Sequence, residues 1–115
     1  MVSRPLKIKT GVVERLVKEK DSYNKEYEQQ LRRIEKIKIE TPHDDWNIRK
    51  QNEVLQETVK IMPDVEQRLS KAIEELKELV EAHQEDLAQT EELAKAKQVL
   101  STVASQADDS TSPNS

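Results

Sequence analysis

The chain has no cysteine and no phenylalanine, a single glycine, and only 3% aromatic residues in 115. Each scarcity removes a class of protein. Without cysteine there are no disulfides, no thiolate nucleophile and no thiolate metal ligand, which allows a reducing intracellular compartment. One glycine cannot build a phosphate-cradling loop, and compact β or α/β domains need more turn glycines and aromatic bulk than this chain holds. No apolar run exceeds about four residues, far short of the roughly 20 that a membrane-spanning helix requires. The first nine residues lack the apolar centre of a signal peptide. These absences predict a soluble, cytoplasmic protein that does not enter a membrane.

What is present points to helix. Ala, Glu, Lys, Leu and Arg make up 52 of the 115 residues, the composition of long packed helices. Charged residues reach 37% and the mean hydropathy is −0.90, values that also suit a disordered chain. Periodicity decides between the two. In a heptad frame (positions a to g) starting at Leu6, the a and d positions read Leu6, Lys9, Val13, Leu16, Lys20, Tyr23, Tyr27, Gln30, Ile34 and Ile37. Seven of these ten are apolar, a regularity that disordered sequence does not sustain over four heptads. A second frame reads Ile48, Gln51, Leu55, Thr58, Met62, Val65, Leu69, Ala72, Leu76, Leu79 and His83, with eight of eleven apolar. A shorter third segment carries Leu87, Leu93, Ala96, Val99, Leu100 and Val103.

The expected architecture is all-α, an elongated antiparallel three-helix bundle of the up-down-up, spectrin-like or coiled-coil-like kind. Helices are placed at about residues 6–39, 43–82 and 87–105, within one domain of residues 1–105, followed by a disordered polar tail over 106–115. At 1.5 Å per residue each of the first two is on the order of 50 to 60 Å long. The first break falls at Glu40 to Asp45, where Thr41 is the expected N-cap, with Pro42 in the first helical position, and Asp45 is a nearly equal alternative. The second break lies near His83 to Gln89, where Asp86 and Gln89 have capping-box spacing. Pro63 interrupts the second helix, yet the seam continues in phase across it, so one helix kinked at Pro63 is predicted rather than two.

The residues offer no catalytic set. His43 and His83 are the only imidazoles, and both fall at helix junctions. Zinc needs Cys or clustered His, so neither a metal site nor a cofactor is expected, and the protein is not expected to be an enzyme. Residues 1–40 carry 11 Lys/Arg against 7 Asp/Glu, whereas residues 41–115 carry 8 against 16. The basic positions of the first helix are interleaved with acids and lack stacking aromatics, which argues against nucleic acid. Helix faces of mixed charge then leave protein binding as the default.

Two stretches say more. Leu6-Lys7-Ile8-Lys9-Thr10-Gly11-Val12-Val13-Glu14-Arg15-Leu16-Val17-Lys18-Glu19 resembles the opening of the tubulin-specific chaperone A family, also called tubulin-folding cofactor A. The segment from Trp46 to Leu69, with Lys50-Gln51, Leu55-Gln56-Glu57-Thr58, Met62-Pro63-Asp64 and Arg68-Leu69, is similar to that family's second helix. It departs from the family pattern at Trp46, often Tyr there, and at Thr58, usually Ser. The resemblance covers about residues 4–103. It implies a three-helix bundle, monomeric or weakly homodimeric, that binds β-tubulin without ATP or any cofactor. Such a protein holds folding intermediates, or free β-tubulin, for assembly of the αβ heterodimer. Its setting is the cytoplasm and the cytoskeleton, where other tubulin-folding cofactors are further candidate partners. The polar residues of the family-like stretches that lie mostly off the seam are the candidate partner-binding set: Lys7, Arg15, Lys18, Arg49, Lys50, Glu53, Glu57 and Asp64. The competing function is a generic helical scaffold or a homodimeric coiled-coil adaptor.

Overall fold

The structure, a computed structural model, describes the backbone of residues 3–85 and 90–111 and the side chains of 3–85 and 90–105. Three helices make up the fold, α1 (Ser3–Glu40), α2 (Asp45–His83) and α3 (Glu91–Thr111), and no strand occurs among the described residues. The all-α expectation holds. Helical backbone in α3 extends beyond Gln106 to Thr111. Residues 112–115 of the expected tail, and the Asp86–Gln89 capping box with Leu87, lie outside the described residues.

The helix ends follow from local hydrogen bonding. Pro5 sits in the first turn of α1, where its missing N–H would have had no intrahelical partner. Between α1 and α2 the chain turns at Thr41-Pro42-His43-Asp44. The Asp44 N–H donates to the Thr41 carbonyl at 3.0 Å, and Pro42 occupies the second turn position that its fixed φ favours. The N-cap of α2 is Asp44, whose Oδ1 accepts from the Asn47 N–H at 3.1 Å. This corrects the expectation of Thr41 or Asp45. Thr41 is instead the last residue tied to α1, its hydroxyl and N–H both donating to the Ile37 carbonyl, at 3.0 and 2.8 Å. An Asp carboxylate at this spot also meets the positive end of the helix dipole, which a Thr hydroxyl would not exploit. Asp44→Ala should therefore cost about 1 kcal/mol of stability, measured as a lowered urea midpoint. For α3 the cap is Thr90, whose Oγ1 accepts from the Leu93 N–H at 3.2 Å.

The chain divides into two compact units. Unit 1 comprises residues 1–17 and 68–115, and unit 2 comprises residues 18–67. Unit 1 therefore holds segments of all three helices, while unit 2 holds segments of α1 and α2 joined by the tight turn.

Unit 1 contains the apolar core. Leu6, Val13 and Leu16 from α1 pack with Leu69, Ala72, Leu76 and Val80 from α2 and with Leu93 and Ala96 from α3. Val12, Val17, Ile73, Leu79, Val99, Leu100 and Val103 close around them half-buried. The two helices run antiparallel here, since Lys9 near the start of α1 reaches Glu75 near the end of α2, Nζ to Oε2 at 3.3 Å. Lys9 occupies a d position of the seam, half-buried, and meets that partner by running its stem along the apolar surface. Thr10 is buried too, its hydroxyl donating to the Leu6 carbonyl at 2.8 Å, so no polar atom is stranded there.

Gly11 lies inside α1, two turns from its start, exposed, and a Cβ built on it meets nothing within 4 Å. No close approach or turn requires a glycine at this point. Gly11→Ala should raise stability by about 0.5–1 kcal/mol through helix propensity alone, seen as a higher thermal midpoint with unchanged helicity.

Unit 2 has a thinner and more polar interior. Its buried residues are Gln30, Ile34, Leu55, Thr58 and Val65, so two of five are polar, against Thr10 alone among the ten of unit 1. Gln30 donates from Nε2 to Glu26 Oε1 at 3.3 Å, but its own Oε1 is buried without a partner. A stranded acceptor of this kind costs on the order of 1–3 kcal/mol, which further weakens a hairpin already short of apolar contacts. Helix α2 runs unbroken through Pro63, in agreement with one helix rather than two.

Candidate partner-binding surface

All eight residues selected from the sequence are exposed: Lys7, Arg15, Lys18, Arg49, Lys50, Glu53, Glu57 and Asp64. They are divided between the two units. Lys7 and Arg15 belong to unit 1, the other six to unit 2. Within unit 2, Lys18 lies on the outer face of α1, whereas Lys50, Glu53, Glu57 and Asp64 follow one another at helical spacings of three, four and seven on the outer face of α2. This α2 row is the part that the fold assembles into a single surface. Lys50 Nζ sits 3.8 Å from Glu53 Oε2, with both side chains about three-fifths exposed. A pair this open is worth only a few tenths of a kcal/mol, so a partner can break it at little cost.

A second feature of this surface is apolar. Seven large apolar residues are exposed among the described residues, and six of them, Leu31, Ile39, Trp46, Val54, Val59 and Ile61, belong to unit 2. Trp46 (69% exposed) and Ile39 (78%) flank the α1–α2 turn. Leu31 and Ile39 share an open hollow on α1 with Arg32, Glu35, Lys36 and Glu40. Single exposed apolar residues are ordinary, and their concentration on one unit is a feature that suits contact with another protein. The signal was available in the sequence: Leu31 and Val59 lie at e positions and Val54 and Ile61 at g positions, one step outside the a/d seam on either flank.

No group of three or more His, Cys, Asp or Glu residues able to hold a metal occurs among the described residues, and no helix there is long and apolar enough to cross a membrane. What the arrangement can do is bind, through a charged helical face and through apolar side chains on both flanks of a two-helix unit.

Comparison with known proteins gives the surface its context. The family model for tubulin binding cofactor A matches residues 1–100. The chain belongs to the tubulin binding cofactor A family. It is 46% identical over 100 residues to chicken (Gallus gallus) tubulin-specific chaperone A, covering 87% of this chain and 91% of that protein. With Arabidopsis thaliana tubulin-folding cofactor A the identity is 35% over 104 residues, 90% of this chain and 91% of the relative. Among solved structures, human tubulin chaperone cofactor A superimposes with a TM-score of 0.79 at 42% identity, covering 90% of this chain and 99% of the human one. The Arabidopsis cofactor A crystal structure gives 0.77 at 31% identity. The family-like stretches quoted from the sequence thus sit within a match that extends over most of the chain.

Proposed function

We propose that this protein is an ATP-independent tubulin-folding cofactor that captures β-tubulin, as folding intermediates or as free subunit, and holds it for assembly of the αβ heterodimer. The observation that carries the reading is the match to tubulin-specific chaperone A over nearly the whole of both proteins, in sequence and in backbone. The physical character of the chain supports it. The exposed apolar residues of unit 2 can cover the apolar surface of an incompletely assembled client, and the charged outer faces keep the complex soluble. Capture of this kind is stoichiometric: the client's off-path association is suppressed for as long as its surface is covered, and release follows when a further cofactor takes it over. The cytoplasm is the compartment that this role requires.

The test is co-elution of the full chain with purified tubulin subunits in the absence of nucleotide. Co-elution with β-tubulin and not with α-tubulin is the expected result. Binding that requires ATP, or a preference for α-tubulin, would overturn the reading. A stable self-assembled coil that ignores tubulin would instead support the adaptor alternative. The candidate surface is tested separately by reversing the charge of Lys7, Arg15, Lys18, Arg49, Lys50, Glu53, Glu57 and Asp64 one at a time. Reversal at Lys50, Glu53 or Glu57 should weaken capture by roughly tenfold, the scale of a desolvated charge contact at an interface. Unchanged capture across all eight would remove this surface from consideration.

A further inference from the structure

Unit 1 shows which flank of the α1–α2 pair receives a third helix. In an antiparallel pair the e positions of both helices border one side and the g positions the other. In unit 1 the e positions are covered: Thr10 and Val80 are buried, and Val17 and Ile73 are half-buried against the core to which α3 contributes Leu93 and Ala96. On the other side the g residues Arg68, Glu75 and Ala82 of α2 are exposed, and Val12 of α1 is half-buried. The charge contact follows the same flank. Glu14, three residues before Val17 and on the same face of α1, lies 3.6 Å from Lys95 of α3, Oε1 to Nζ.

The same heptad positions recur in unit 2, which has no third helical segment of its own. Lys20, Tyr23 and Asn24 line one crevice with Met62, Val65 and Glu66. The e residues Asn24 and Glu66 therefore open on the same side, and the pair is antiparallel here too. Further along this side lie Leu31 (38% exposed) and Val59 (37%), with Asn52 half-buried between them and the turn. The row of Glu14 is extended at intervals of seven by Asp21, Glu28 and Glu35, all exposed. Glu28 meets Arg32 of its own helix, at 3.7 Å and largely in solvent, a contact that a partner's cation can displace.

We propose that the e side of unit 2 is a docking groove for a helix from a partner protein, an amphipathic helix with an apolar ridge and Lys or Arg along one flank at intervals of about seven residues. It would lie on Leu31 and Val59 as α3 joins the cluster that holds Val17, Ile73 and Val80 in unit 1. Its basic flank would meet Asp21, Glu28 and Glu35 as Lys95 meets Glu14. Across the groove the row Arg49, Gln56 and Pro63 of α2 carries no acid, and Glu66 of α2 and Lys38 of α1 border it at e positions, so most of the negative charge lies along α1. The acidic row and the uncovered apolar positions select a basic helix over an acidic one.

The probe is a pair of synthetic amphipathic helices that share one Leu/Ala ridge and carry Lys on one flank every seventh residue, or Glu in the same places. Each has a spin label and is titrated into the full-length protein. The Lys peptide should bind saturably, at least about tenfold more tightly than the Glu peptide. Its label should broaden the amide signals of Leu31 and Val59 more than those of Val54 and Ile61, which lie on the other flank. D21K/E28K/E35K should invert the preference between peptides, whereas E74K/E78K/E81K, an equal charge change on the exposed face of α2 in unit 1, should leave it unchanged. Val59→Lys, a single exposed change, should weaken the Lys peptide should the triple variant lose its helical signal. No saturable binding, a preference that D21K/E28K/E35K does not invert, or broadening centred on Val54 and Ile61 would each overturn the proposal. So would a concentration-dependent dimer that covers Leu31 and Val59, which would make a second copy of the chain the occupant.

Discussion

Leu76→Ala should lower the free energy of unfolding by about 3 kcal/mol, within the roughly 2–5 kcal/mol spread for such truncations in packed cores. Leu76 is 0% exposed and belongs to the cluster that ties all three helices of unit 1 together. Removing its isobutyl group loses the transfer free energy of the buried atoms and leaves a cavity that rigid neighbours on three sides cannot fill. Small domains are stable by only about 5–15 kcal/mol, so the loss is a large share of the total. Urea unfolding followed by helical circular dichroism gives the measurement. Leu31→Ala, at a position 38% exposed, is the internal comparison and should cost less than about 1 kcal/mol. Equal losses at the two sites would show that the core does not lie where the three helices meet.

Pro63→Ala has the opposite sign and is expected to stabilise by about 2 kcal/mol. Pro63 stands inside α2, eighteen residues after Asp45 and twenty before His83. It has no N–H, so the carbonyl of Val59 loses the donor that a regular α-helix supplies, and the ring crowds the preceding turn. Together these cost about 3 kcal/mol in a helix interior. Alanine removes that cost but makes the unfolded chain more flexible, which returns up to about 1 kcal/mol. The side chain is exposed, so no packing is lost. A higher urea midpoint with equal or greater helicity is the expected outcome. An unchanged or lower midpoint would mean that the fold around Pro63 uses the proline's geometry rather than tolerating it. Tubulin capture by the same variant then separates stability from function. Greater stability with weaker capture would place the proline's local geometry in the docking surface.

The seam was legible because a heptad pattern is a local property of each helix. Every one of the a and d positions read from the two frames is buried or half-buried, from Leu6 to Ile37 and from Ile48 to His83. That includes Lys9, Gln30 and Thr58, whose polarity gave no reason to expect burial other than their place in the repeat. The choice of cap was less legible. Thr41, Asp44 and Asp45 are all competent caps by type, and only the turn formed around Pro42 brings the Asp44 carboxylate to the Asn47 N–H. The candidate surface was legible only in part, because polar residues of a family-like stretch can be selected by type, while exposure of an apolar residue depends on what else in the fold covers it.

By itself, then, the sequence determined the helical class, the number of helices, the antiparallel seam and the family, since each rests on spacing within a segment or on the order of residues along the chain. Only the tertiary structure decided which flank of the seam the third helix covers. Val80 and Val59 occupy the same e position of the same helix, yet Val80 is 6% exposed and Val59 is 37% exposed. Nothing local distinguishes the two valines. Val80 lies in a unit with a third helical segment and Val59 in a unit of two, and a heptad repeat carries no information about where a distant segment will pack.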